Sequence, residues 1–260
     1  MSDPKAPARN PVIASTGPGA RRSRRSAKKT MNDAATIGVI FDVDGVLVDS
    51  YAAHLDSWRR LALELHRSIA EQQFAATFGR TSRDIIAELF HVQDDARIRQ
   101  LDDRKEAFYR DRIRGCVPAM PGAVSLVTAC HQTRFRIAVG SSGPARNVRL
   151  VCDEMRLTPM LSAIVTGDDV TRGKPDPQVF RLAADRMKLP SSRCLVIEDA
   201  PAGIEAARRA TMPAIALTST HTPDTLRSAK LTIDGLDQIT PATIAKLVGD
   251  FSSMGACSPE

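Results

Sequence analysis

No apolar run in this 260-residue chain approaches the roughly 20 residues that a bilayer-spanning helix needs, which sets a helical membrane protein aside. The five cysteines (Cys116, Cys130, Cys152, Cys194, Cys257) are odd in number, and no two stand in CxxC spacing. That disfavours a disulfide framework or a zinc site and leaves reduced thiols in a cytoplasmic protein. No internal repeat is visible. The body lacks basic clusters interleaved with aromatics, the pattern that tracks single-stranded nucleic acid. What the chain does have is apolar content, 43% of its residues, enough for a sizeable buried core.

Charge is placed unevenly. The formal net charge is +6, yet the first thirty residues hold eight basic side chains against Asp3 alone. The rest of the chain is therefore close to neutral, and the pI of about 9.3 belongs mainly to the tail. Nucleic acid is disfavoured as a partner of the body on that ground. Residues 1–33 are rich in Pro, Gly, Ser, Ala and basic residues without apolar periodicity, and are expected to be disordered. Their Arg- and Ser-rich, acid-poor composition also leaves an organelle transit peptide open.

Ile37 to Phe41 is a near-continuous apolar run ending in acids and Gly45, as a buried parallel strand would be. From about Tyr51 to Cys116 the pattern is helical, with strand signals nearly absent, and Pro118, Pro121 and Gly122 close this block. Strands are then expected at 135–139, 163–165, 194–197, 214–217 and 231–233. They alternate with helices at 146–155, 177–187 and 202–209. Such alternation implies an α/β fold, a doubly wound parallel sheet with helices on both faces. Ligands of these sheets bind beyond the carboxyl ends of the strands, so the residues just past each strand carry the functional information.

Asp42-Val43-Asp44-Gly45 follows the first strand. Two carboxylates two residues apart project to one side of an extended chain and repel each other, which a divalent cation with oxygen ligands, such as Mg²⁺, would relieve. Gly140-Ser141-Ser142-Gly143 follows the second, offering a hydroxyl and backbone N–H groups to a phosphoryl oxygen. Lys174, between Gly173 and Pro175, lies past the third and supplies a fixed ammonium. Glu198-Asp199 closes the fourth and can complete a cation site. Each has a plainer reading alone: solvated acids, an ordinary Ser-Gly loop, a solvated lysine, an N-cap at Asp199. The weight lies in four complementary groups at four strand ends of one sheet.

In that order, Asp42 to Ser50, Ser141, Lys174 and Glu198-Asp199 resemble the four motifs of the haloacid dehalogenase superfamily. The stretches Gly173 to Pro177 and Glu198 to Ile204 are similar to its branch of β-phosphoglucomutase and sugar-phosphate phosphatases. The resemblance implies a Rossmann-like core (34–50 and 117–250) with an inserted helical cap (51–116). It implies Asp42 as nucleophile and Asp44 as acid and base, with Ser141 and Lys174 on the transferring phosphoryl. Mg²⁺ would be held by Asp42, the Asp44 backbone carbonyl and Asp199, with Glu198 direct or one layer out. A halide leaving group needs no proton whereas an alkoxide does, so Asp44 favours phosphoryl transfer over dehalogenation.

The cap is expected to choose the substrate through His54, Trp58, Arg80, Arg83 and Lys105. His54 resembles the mutase histidine that couples cap closure to acid–base chemistry, and Lys105 and Tyr109 stand where the branch often has Lys and Tyr. The mutase grips a second phosphate with an Arg at a point that Arg80 and Arg83 bracket and Ser82 occupies. This departure favours a phosphatase of a small phosphorylated metabolite, monomeric, over a mutase. Thr211, where the branch usually has Gly, touches only local turn geometry. An idle binding protein or a tail-mediated nucleic-acid binder is the alternative of another class, and the intact acid set argues against idleness. Deleting residues 1–33 should leave phosphate-ester turnover unchanged, with no nucleic-acid binding before or after; a drop in turnover would place the tail in the enzyme's working parts.

Overall fold

The computed structural model describes residues 36–77 and 82–255, with side chains through 253. The basic tail, Arg80 and Cys257 lie outside these described residues. Six strands form one fully parallel sheet: β1 (Gly38–Phe41), β2 (Arg136–Gly140), β3 (Ala163–Val165), β4 (Cys194–Glu198), β5 (Ala214–Leu217) and β6 (Leu231–Ile233). Their spatial order is β3-β2-β1-β4-β5-β6, so chain order reverses between β1 and β4. That switch point is where open parallel sheets leave a crevice for a ligand.

The strands are apolar on both sides because both faces are covered. Val39, Phe41, Ile137, Val139, Leu195 and Ile197 point to one face. There they meet α5 (Ala123–Gln132), α6 (Ala145–Glu154) and α9 (Pro241–Gly255). Ile40, Ala138, Val196, Ala214 and Ala216 point to the other, against α7 (Gln178–Met187) and α8 (Pro201–Arg209). Between β1 and α5 the chain makes four helices, α1 (Tyr51–Glu64), α2 (Glu71–Thr77), α3 (Ser82–Phe90) and α4 (Asp95–Ile113). These carry a hydrophobic cluster of their own, which includes Leu55, Trp58, Leu61, Phe74, Ile86 and Phe108. Ala53, Tyr109 and Ile113 instead join the cluster on the sheet face and seat the insert on the core.

The strands expected from the sequence stand within a residue or so of their observed limits. Three helices escaped the reading. Helix α2 has two turns and a single large buried apolar residue, Phe74, too little for a period to show. Helix α5 interleaves Val and Thr with Ala, whereas α9 opens on Pro241 and carries Ile244, Leu247, Val248 and Phe251 at helical spacing, a signal that was there and was passed over. Among the described residues no helix is long and apolar enough to cross a membrane.

Gly38 marks where the sheet is tightest. A Cβ there would lie 2.8 Å from Cys194 Sγ and 2.9 Å from Leu189 Cδ1. Gly38→Ala should lower stability by about 1–3 kcal/mol through overpacking. Urea unfolding should show an earlier midpoint at unchanged slope; an unchanged midpoint would mean that β1 has room to shift.

Candidate active site

Register brings the polar strand ends together. Phe41 pairs with Val139 on one side and Ile197 on the other. Asp42 therefore stands level with Gly140 and Glu198, and its N–H donates to the Ile197 carbonyl at 3.0 Å. Asp42, Glu198 and Asp199 are all buried, and one oxygen of each lies within 4.8 Å of the others. Lys174 Nζ enters this cluster from the loop after β3, donating to Asp42 Oδ1 at 2.7 Å and to Glu198 Oε1 at 2.5 Å. The second Glu198 oxygen accepts the N–H groups of Asp199 and Ala200, both at 2.8 Å. Thr220 Oγ1, beyond β5, donates to Asp199 Oδ2.

Two glycines make this density feasible. Gly45 has φ +74°, and a Cβ on it would overlap the Asp199 carboxylate. A Cβ on Gly203, in the first turn of α8, would overlap Glu198. Asp199 does not cap α8, as the plainer sequence reading had it. Ala200 is the N-cap residue, and the Asp199 carboxylate is turned to Thr220.

The electrostatics of the cluster favour added positive charge. Burial pushes the Asp42 carboxyl up to about 7; the Lys174 ammonium opposes this, while Glu198 and Asp44 reinforce it. Asp199 is raised well above the carboxylate range by burial and by the charges of Glu198 and Asp42. Burial works against the Lys174 charge too, but Asp42 and Glu198 outweigh it and keep the ammonium protonated. One lysine thus leaves the three acids short of compensation. Hard carboxylate oxygens gathered in this way fit a divalent cation such as Mg²⁺.

Asp44 has a different environment. Its Oδ1 lies 3.4 Å from His54 Nε2, a long contact for a hydrogen bond. Burial alone would raise its pKa, but the neighbouring His54, the Ser50 side chain and the Lys105 charge hold it at about 2. Ser141 is buried, and its Oγ accepts the Gly143 N–H at 2.9 Å. A Cβ on Gly143 would lie 3.2 Å from that Oγ and 3.8 Å from Asp44 Oδ2, so hydroxyl and carboxylate flank one point.

The residues expected in the insert divide. His54 reaches Asp44 and stacks on Tyr109 at 4.2 Å. Trp58 and Lys105 are buried behind it, the ammonium 5.3 Å from the indole ring centre and bonded to His54 Nδ1 at 3.0 Å and Glu106 at 2.7 Å. Arg83 is exposed and paired with Asp95. Sequence reasoning missed Thr220, Glu106 and Asn147. The polar run Thr218 to His221 past β5 obeys the same strand-end rule and was the available signal for Thr220. Nothing local to Glu106 or Asn147 sets them apart.

Residues 38–211 match the family model described as haloacid dehalogenase-like hydrolase. The chain is 29% identical to validoxylamine A 7'-phosphate phosphatase of Streptomyces hygroscopicus subsp. limoneus, over 77% of this chain and 94% of that protein. It is 29% identical to hexitol phosphatase A of Escherichia coli (strain K12), over 78% and 93%. Its fold is shared with β-phosphoglucomutase from Clostridium difficile, with a TM-score of 0.72 at 23% identity over 83% of this chain and 98% of that one.

The raised Asp42 pKa has a measurable consequence. The folded, metal-free protein holds this proton up to about pH 7, whereas the unfolded chain releases it near the ordinary aspartate value of 3.8. Stability from this group is thus lost as pH rises between those values, and protons compete with a cation for the site. Mg²⁺ should raise the melting temperature more at pH 8 than at pH 6, and Asp199→Asn should shrink the rise. By linkage a saturating cation adds about 2.7 kcal/mol at one hundred times its dissociation constant. Equal rises at both pH values, or an unaffected variant, would count against cation binding at this cluster.

Proposed function

We propose that this chain, which belongs to the haloacid dehalogenase-like hydrolases, is a Mg²⁺-dependent phosphatase of a small phosphorylated metabolite, with sugar phosphates the favoured class. The observation that carries the reading is the buried set Asp42, Lys174, Glu198 and Asp199, with Asp44 separately held on its rim. The similarity to validoxylamine A 7'-phosphate phosphatase and to hexitol phosphatase A supports a small polyhydroxylated phosphate ester as substrate.

In this reading the Asp42 carboxylate attacks phosphorus and forms an aspartyl-phosphate, while the leaving oxygen takes a proton from Asp44. The negative charge of an arriving phosphate ester repels Asp44 and favours its protonated form. Asp44, having lost its proton, then takes one from water, which attacks phosphorus and releases phosphate and Asp42. Lysine has three donors; Asp42 and Glu198 use two, leaving one for a phosphoryl oxygen beside the Ser141 hydroxyl. Mg²⁺, held by Asp42, Asp199 and the Asp44 backbone carbonyl, would supply charge neutralisation at the transferring group. Glu198 supports it indirectly, since both its oxygens are engaged.

The insert, taken as a cap over residues 51–116, is the element that chooses the substrate. From it His54 of α1 reaches Asp44, and Tyr109 of α4 lies against the same carboxylate. A mutase would need a second anion grip; at that point this chain has Ser82, and the adjacent Arg83 is paired with Asp95, which favours the hydrolase.

Asp42→Asn should reduce Mg²⁺-dependent hydrolysis of a phosphate monoester by about 10³-fold or more, to the background rate. Activity near wild type would refute the nucleophile assignment. With β-glucose 1-phosphate and its bisphosphate, phosphorus NMR should show inorganic phosphate; accumulation of glucose 6-phosphate would make the chain a mutase.

A further inference from the structure

A chain of buried and part-buried polar contacts runs from the core to Asp44 through the insert. Arg110 NH1 donates to Asn147 Oδ1 at 2.8 Å, and Asn147 Nδ2 donates to Glu106 Oε2 at 2.5 Å. Lys105 Nζ donates to Glu106 Oε1 at 2.7 Å and faces His54 Nδ1 at 3.0 Å. His54 Nε2 then faces Asp44 Oδ1. Asn147 is only 6% exposed, Glu106 7% and Lys105 3%.

Polarity is fixed at each link. Glu106 only accepts and Arg110 only donates, so the Asn147 amide has a single orientation. An ammonium has no acceptor, so the His54 nitrogen that faces it is the unprotonated one. The imidazole proton therefore sits on Nε2 and is aimed at Asp44. Asn147 belongs to α6, the helix that follows the Ser141 loop; Glu106 and Arg110, one turn apart on α4, clasp it. A buried Lys–Glu pair without that third partner would leave a carboxylate oxygen unsatisfied.

We propose that Asn147 and Glu106 are positioning residues, through which the core helix behind the phosphoryl-binding loop sets the tautomer of His54 and so the placement of the Asp44 proton. This rests on the phosphatase reading only for its effect on rate; the linkage to His54 stands on geometry.

The link has a reversible polarity that a test can exploit. Glu106→Gln sets one donor against another, whichever way Asn147 turns. Asn147→Asp sets one carboxylate against another. The double variant restores every bond: the new amide at position 106 accepts from Lys105 and donates to the new carboxylate at position 147, which also accepts from Arg110. For the Mg²⁺-loaded protein, kcat/KM should be measured with 4-nitrophenyl phosphate, whose leaving group needs no proton, and with glucose 6-phosphate, whose leaving group does. This constant covers the steps through leaving-group departure. Each single variant should lose at least about tenfold more on glucose 6-phosphate than on the aryl ester, a part of the range that acid catalysis supplies, and the double variant should recover most of it. In parallel, the imidazole ¹⁵N spectrum, with His54→Gln to assign it, should show Nε2–H in the wild type, mixed tautomers in each single variant, and Nε2–H again in the double. Equal losses on both esters, or a double variant no better than the singles in rate and tautomer, would overturn the proposal. Wild-type protein inactive on both esters would sink the phosphatase reading, and the ¹⁵N spectra would still decide the linkage.

Discussion

The Lys174 ammonium, set between Asp42 and Glu198, is the interaction on which the rest of the site depends. Three carboxylates with oxygens inside 4.8 Å of one another repel strongly once buried; at an effective dielectric of 20, a pair at 4 Å costs about 4 kcal/mol. The strand order brings this density about, by setting β1 beside β4 at the point where the topology reverses. The lysine comes from a loop far along the chain. Glu198 meets it with one oxygen and pins its other oxygen to two backbone N–H groups, so the ammonium is aimed rather than merely nearby. Gly45 and Gly203 follow from the same demand, since the carboxylates occupy the volume a side chain there would need.

The insert solves a similar problem by other means. Its charged layer alternates donors and acceptors from Arg110 to Asp44, with Tyr109 stacked on His54 and Trp58 near Lys105. Each ionised group meets a partner of fixed polarity, which is how buried polar networks rigidify instead of destabilising. The insert thereby presents one oriented imidazole to the core and keeps its own ammonium out of solvent.

Legibility in the sequence followed the range of the forces involved. Strand ends could be read because apolar runs stop abruptly at Asp42, Ser141 and Glu198, and in a parallel sheet such ends share one edge. Lys174 could be read from its setting between Gly173 and Pro175. Thr220 sits at the same edge and was passed over because Thr and Ser there look like an ordinary loop. Glu106 and Asn147 were beyond reach: one is an ordinary helical acid, the other a helical amide, and their meaning arises only when α4 and α6 pack together. The short α2 was missed because seven residues with one buried aromatic carry no period.

Asp42 and Asp44 stand two residues apart, yet their surroundings drive them in opposite directions, the first up to about 7 and the second down to about 2. Pairs of acids split in this way mark acid–base assignments. The direction is the reverse of what the proposed chemistry requires, because a nucleophile must be ionised and an acid must hold a proton. Both inversions need charge from outside the chain: positive charge at the Asp42 cluster, and the negative charge of a phosphate ester beside Asp44. The site with neither is therefore set against reaction. Under the proposed chemistry, the site becomes competent when both are present.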